Sequence, residues 1–243
     1  MDVLDGSVQP IAPAPGLDAL GYDSRDGLLY GVASSAVDGT APTVQAIDPR
    51  DGTVLATAPL PQDTYTAGAV SADGLFYVRG RRTIRVVDVT DPKMRMRVVR
   101  TFAVRRALLL DDFAVRPKDG LIYGVDDARH VLVRIDPRTE RVTRLGRLGV
   151  GPLGVGSLGV GRVSAAFFDA AGTFRIAGDR MVSVDVAKLK ARARVDARRV
   201  AVLSAHPPAL VDGAGCLAAV PRVIDDLPSP QVAPSVERLA SSR

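Results

Sequence analysis

Apolar and polar positions alternate with period two through much of this chain, the pattern of half-buried β-strands. "HVLVRIDP" (130–137) alternates in this way, and a second strand-like run, "VTRLGRL" (142–148), follows it across the turn "DPRTER". "PTVQAIDPRDGTVLATAPL" (42–60) repeats that strand, turn and strand. Before each such hairpin stands another. Its first strand is rich in small residues, its turn is Asp-Gly or Ala-Gly, and its second strand resembles "LIYGV" (121–125). Glycine suits the turn because it takes positive φ without steric cost. Helical periodicity is nearly absent. The one candidate, "VAKLKARARVDARRV" (186–200), is basic and Ala-rich and lacks a strong apolar face; it reads as a solvated insertion between two strands.

These hairpins repeat. "DGLLYGV" (26–32) and "DGLIYGV" (119–125) differ at one position, and related stretches surround the turn glycines Gly27, Gly74, Gly120, Gly172 and Gly215. Those glycines are 47, 46, 52 and 43 residues apart. A period near 45 with four short strands per copy is the signature of a β-propeller blade. The fifth copy holds only two inner strands before the prolines begin at Pro221, while "MDVLDGSVQPIAP" (1–13) reads as an outer hairpin with no inner strands before it. Joined, they complete one blade and remove the free edges of an open ring. The expectation is an all-β, five-bladed propeller over residues 1–220, its last blade closed by the N-terminal strands. A Pro/Ser-rich disordered tail or linker over 221–243 follows it.

The modules "DALGYDSRDGLLYGV" (18–32) and "DDFAVRPKDGLIYGVDDARHVLVRIDPRTERVTRLG" (111–146), with the segment "DGAGC" (212–216), resemble a bacterial β-propeller family of unknown function. The resemblance covers roughly residues 1–220. It implies a propeller fold in a secreted or cell-surface protein, and it brings no activity and no catalytic residues. The opening "MDVLDGSVQPIAPAPG" has neither the basic nor the apolar segment of a secretory signal, so either the protein stays inside or its beginning lies outside this chain.

Composition excludes several chemistries. No apolar run reaches the ~18 residues of a membrane-spanning helix. Cys216 is the single cysteine, so no intrachain disulfide forms, and neither His130 nor His206 completes a Cys/His signature. No Gly-x-Ser-x-Gly nucleophile motif is present. Asn is absent and Glu occurs only at Glu140 and Glu237, one in a hairpin turn and one in the tail. Lactonase-like propellers typically draw Glu and Asn to an axial cation; here only Asp carboxylates remain for an oxygen-seeking metal. No metal, cofactor or catalytic residue is expected. The glycines of "GVGPLGVGSLGVG" (149–161) lack the following helix that a dinucleotide site requires, and read as a linker between blades three and four.

Two candidate sites remain. Asp18, Thr66, Asp111 and Ser164 fall at equivalent places at the starts of the inner strands, with Asp112 adjacent, so they should ring one channel mouth. They serve either a small cation or polar ligand, or the backbone groups that Asp, Ser and Thr commonly cap. The net charge is +5, Arg supplies 28 of 32 basic residues, and ten cations crowd residues 79–106. These are Arg79, Arg81, Arg82, Arg85, Lys93, Arg95, Arg97, Arg100, Arg105 and Arg106, a candidate polyanion patch. Without interleaved aromatics they are not expected to bind nucleic acid specifically. They equally serve as strand-edge charges that discourage sheet pairing. Tyr30, Phe76, Tyr123 and Phe174 are assigned to packing between blades. The function expected is a non-catalytic binding module, a monomeric domain with a protein or carbohydrate partner. The alternative is a hydrolase or lyase acting through Asp18, Asp111 and Asp112.

Overall fold

A computed structural model describes residues 17–33, 40–91, 95–104, 108–147, 163–169, 171–178, 180–189 and 197–202. They form sixteen strands in four antiparallel four-stranded sheets, each built from strands consecutive in the chain. Blade 1 holds β1 (Leu17–Asp23), β2 (Leu28–Ala33), β3 (Thr43–Ile47) and β4 (Val54–Pro59). Blade 2 holds β5 (Ala67–Val70), β6 (Leu75–Arg79), β7 (Thr83–Asp88) and β8 (Arg97–Ala103). Blade 3 holds β9 (Leu110–Val115), β10 (Ile122–Asp126), β11 (Val131–Asp136) and β12 (Arg141–Arg147). Blade 4 holds β13 (Ala165–Phe168), β14 (Phe174–Ala177), β15 (Arg180–Val184) and β16 (Ala197–Val202).

The first strand of each blade lies against the first strand of the next: β1 by β5, β5 by β9, β9 by β13. The sheets therefore stand around a common axis with β1, β5, β9 and β13 innermost, which is a β-propeller. The described residues hold four blades rather than five. The fifth blade expected from residues 203–220 and 1–16, the closure between them, the 149–161 linker and the 221–243 tail all lie outside the described residues. The 186–200 stretch opens with a three-residue 3₁₀ turn at Val186–Lys188 and ends in β16, so the insertion does separate the third and fourth strands of its blade.

Three apolar cores fill the gaps between successive blades. Alternation decides which neighbour each side chain meets, since successive residues of a strand point to opposite faces. Tyr30 from blade 1 meets Phe76 of blade 2 at 6.0 Å between ring centres, and Tyr123 from blade 3 meets Phe174 of blade 4 at 6.2 Å. Phe168 completes the second cluster, 5.1 Å from Phe174 and edge-on to Tyr123 at 5.6 Å. Offset and edge-to-face pairs of this kind add about 0.5–1.5 kcal/mol beyond the area they bury.

The inner hairpins come in two kinds. In β1, Ala19 and Leu20 together oppose Gly31; in β9, Asp111 and Asp112 together oppose Val125. Each is a β-bulge, and Ala19 takes φ 56° within it. The inner pairings of blades 2 and 4 run without a shift. The glycine of "YGV" belongs to the bulged kind. A Cβ on Gly31 would lie 2.8 Å from Leu20 Cδ2, and one on Gly124 would lie 3.0 Å from both Asp112 O and Phe113 Cβ. Where no bulge needs the room, Val78 and Ile176 take the same place.

Candidate functional site

Neighbouring blades meet at the bulges. A Cβ on Gly68 of β5 would stand 2.2 Å from the Ala19 carbonyl oxygen, so only glycine lets β5 approach the first bulge. At the matching place in blades 3 and 4 stand Asp112 and Ala166. The Asp112 carboxylate is 1% exposed; it accepts from Phe113 N at 2.7 Å and from Ala166 N across the blade boundary. A buried carboxylate satisfied by two backbone donors from two blades acts as a pin between them.

The rim at which inner strands begin carries the residues picked from sequence. Asp18 and Asp111 are second in β1 and β9, while Thr66 and Ser164 immediately precede β5 and β13. Successive blades thus present Asp, Thr, Asp and Ser at the same strand end. Thr66 N donates to Arg79 O at 3.1 Å, and Ser164 donates to Ala177 O from its N at 2.9 Å and its Oγ at 3.3 Å. Asp18 and Asp111 are half-buried and engaged in polar or electrostatic interactions. The described residues contain no group of three or more His, Cys, Asp or Glu arranged to hold a metal ion.

Sequence reasoning missed the role of Arg79. It is 8% exposed and takes the place of the valine in "YGV". From there it reaches into blade 3, donating from Nη1 to Leu110 O at 2.9 Å and from Nη2 to Leu108 O at 2.9 Å. Burial pulls its pKa below the usual arginine value, and Asp111 works against that pull. Nη1 and Nη2 thus close backbone acceptors at the start of β9, and Nε has no partner.

Other members of the candidate basic patch are dispersed. Arg85 is paired with Asp63 at 2.7 Å and lies over the Tyr65 ring at 5.2 Å. Asp63 also accepts from Thr64 N and Arg81 N; burial raises its pKa, but these hydrogen bonds together hold it below the ordinary carboxylate range. Arg81 and Arg82 are exposed in the β6–β7 turn, Arg95 is exposed just before β8, and Arg97 on β8 lies 3.7 Å from Asp88. Lys93, Arg105 and Arg106 lie outside the described residues. Arg79, being internal, offers no surface charge; a strand that reads as polar from sequence has turned one guanidinium inward to the backbone carbonyls of Leu108 and Leu110.

At the opposite rim, where the inner strands end, the four described blades line an axial funnel. Gly21, Gly68, Ala114 and Ala166 form its wall, and Tyr22 and Ser71 supply polar groups. No charged side chain lines it among the described residues. A second groove on this side separates Arg116 and Lys118 from Asp169 and Asp185. Three of these are already committed: Arg116 to Asp119 and the Tyr123 hydroxyl, Asp169 to Arg175, and Asp185 to Ala187 N at 3.1 Å.

The fold and its axial funnel define a repeat protein of the β-propeller class. Residues 7–218 match the family described as a repeat of unknown function (DUF6923), and the chain belongs to that family. No curated protein matches its sequence. Among solved structures, Kuenenia stuttgartiensis hydrazine synthase is similar at 16% identity and TM-score 0.50, over 80% of this chain and 52% of that one. A Bacteroides thetaiotaomicron protein of unknown function is similar at 15% identity and TM-score 0.50, over 80% of this chain and 46% of that one. The chain thus spans about half the length of these structures, and at such identities the likeness is one of fold alone.

Proposed function

We propose that this chain is a non-catalytic binding module: a five-bladed propeller over residues 1–220, closed by its N-terminal strands and followed by a Pro/Ser-rich tail. It recognises a protein or carbohydrate partner, as a monomeric domain of a secreted or cell-surface bacterial protein. The family match supports the fifth blade, since it runs through residues 7–16 and 203–218 on either flank of the four described blades. The observation that carries the binding reading is the axial funnel, which draws on four blades yet has no charged lining residue among those described. Hydrolytic sites in clefts depend on carboxylates or other titratable groups converging on one point. A funnel lined by glycine, alanine and larger apolar residues such as Val70 and Phe167, with Tyr22 and Ser24 among its few polar side chains, offers shape instead.

The second reading, a hydrolase or lyase, is favoured by the shared rim position of Asp18 and Asp111. A turnover screen separates the two. Chromogenic ester, lactone, phosphoester and glycoside substrates are assayed with and without Ca²⁺, Mg²⁺ and Zn²⁺, using wild type and Asp18→Asn/Asp111→Asn. The binding reading expects no turnover above the double variant with any substrate. Turnover that the double substitution abolishes overturns it.

A further inference from the structure

The outer strands differ in charge from blade to blade. β4 of blade 1 reads Val-Leu-Ala-Thr-Ala-Pro, without a charged residue, whereas β8 carries Arg97 and Arg100 and β12 carries Arg141, Arg144 and Arg147. Register decides where these arginines look. Arg100 is the cross-strand partner of Val86, and Arg144 that of Val133. Both valines lie in the core between blades 2 and 3. Cross-strand partners share one face of a sheet. Arg100 therefore faces blade 3 and Arg144 faces blade 2, on the outer strands that border their shared core.

Arg138 joins them from the β11–β12 turn. The Tyr77 hydroxyl is raised in pKa chiefly by burial and then by Asp73, and the charges of Arg100 and Arg138 both draw it back. Arg100 Nη2 also donates to the Pro137 carbonyl beside Arg138. All three arginines are exposed. Asp136 spends its carboxylate inside its own turn, accepting from Arg138 N at 2.9 Å and Thr139 Oγ1 at 2.9 Å.

We propose that the outer surface at the boundary of blades 2 and 3, which carries Arg100, Arg138 and Arg144, binds an acidic polysaccharide, a chain bearing regularly spaced carboxylate or sulfate groups. The proposal rests on the binding-module reading and names its ligand class. Guanidinium groups present a fork that matches such oxyanions two bonds at a time. Nucleic acid fits less well, because single-strand binders stack bases on accessible aromatics. Every Tyr and Phe of this chain is buried or half-buried.

The test measures binding of heparin and of polygalacturonate by calorimetry at fixed ionic strength. It compares wild type, Arg138→Gln/Arg144→Gln, and the charge-matched control Arg81→Gln/Arg82→Gln in the β6–β7 turn. Arg100 is left in place because it also ties the blades together. The proposal expects at least a tenfold loss for the first pair, the effect of removing about one charge-assisted contact or more. The control should change affinity by less than about threefold, as diffuse screened charge does. Equal losses in the two variants overturn the proposal, as does a DNA oligonucleotide binding more tightly than either polysaccharide. Folded wild type that binds neither polysaccharide also overturns it. That result leaves the binding-module reading intact, because that reading fails only through turnover.

Discussion

Replacing Asp112 by alanine should loosen the boundary between blades 3 and 4 more than any surface substitution would. The carboxylate is 1% exposed and is the acceptor for Phe113 N and Ala166 N. In the alanine variant both donors face a small apolar void. A buried donor left unpaired costs about 1–3 kcal/mol. Relief of the buried charge itself offsets part of that sum. A net loss of about 3 kcal/mol is expected, and for a chain of this length each kcal/mol moves the melting temperature by about 2–4 °C. Melting followed by circular dichroism at neutral pH should therefore show Asp112→Ala about 6–12 °C below wild type, with Asp112→Asn between them, since the amide keeps one oxygen. Hydrogen exchange adds a local reading: protection at Ala166 should fall before that in blade 1. A melting temperature within about 2 °C of wild type would refute the pin, because two buried donors cannot both be orphaned so cheaply.

Arg79→Met keeps the apolar stem but strips the donors from Leu108 O and Leu110 O, and should lower stability by about 1–3 kcal/mol in urea titration. Gly68→Ala should destabilise strongly, because its Cβ would stand 2.2 Å from the Ala19 carbonyl oxygen. Gly120→Ala should cost only the left-handed strain of about 1–2 kcal/mol, since φ is 69° and nothing lies within 4 Å; thermal melts of the two variants test the contrast. Acid should unfold the protein through its turn carboxylates. Asp48, Asp63, Asp88, Asp136 and Asp169 all have folded pKa values below the ordinary carboxylate range. Their contribution is present above the unfolded value near 4 and is lost as pH falls through the folded values, so stability measured at pH 7 should exceed that at pH 3. Asp63→Asn should narrow that difference.

The strand order and blade period were legible because they rest on local signals: alternation, turn glycines and a spacing near 46. "DGLLYGV" and "DGLIYGV" proved to be equivalent hairpins of blades 1 and 3. What local signals could not show is which neighbour a side chain meets. Arg79 sits in "VRGRRTIRV" beside the exposed Arg81 and Arg82, and its acceptors are about 30 residues further along. Asp112 beside Asp111 reads as half of an acidic pair, yet one of its donors, Ala166, is 54 residues away. One signal was available in principle. Arginine appears where two other copies write valine, and a core position holding a charge implies a partner across the interface.

The alternation of bulged and regular inner hairpins bears on what can be exchanged. A bulged blade demands a glycine on its own second strand, and at its neighbour's first strand either glycine or a donor aimed at a carboxylate. Blade 1 makes the first of these fits with blade 2, and blade 3 makes the second with blade 4. The interchangeable part of this molecule is therefore a matched couple of about 93 residues, bulged blade followed by flat blade, rather than the 46-residue unit that sequence periodicity suggests. Recombination or design that shuffles single blades would break these fits, whereas moving couples would carry both halves of each joint together.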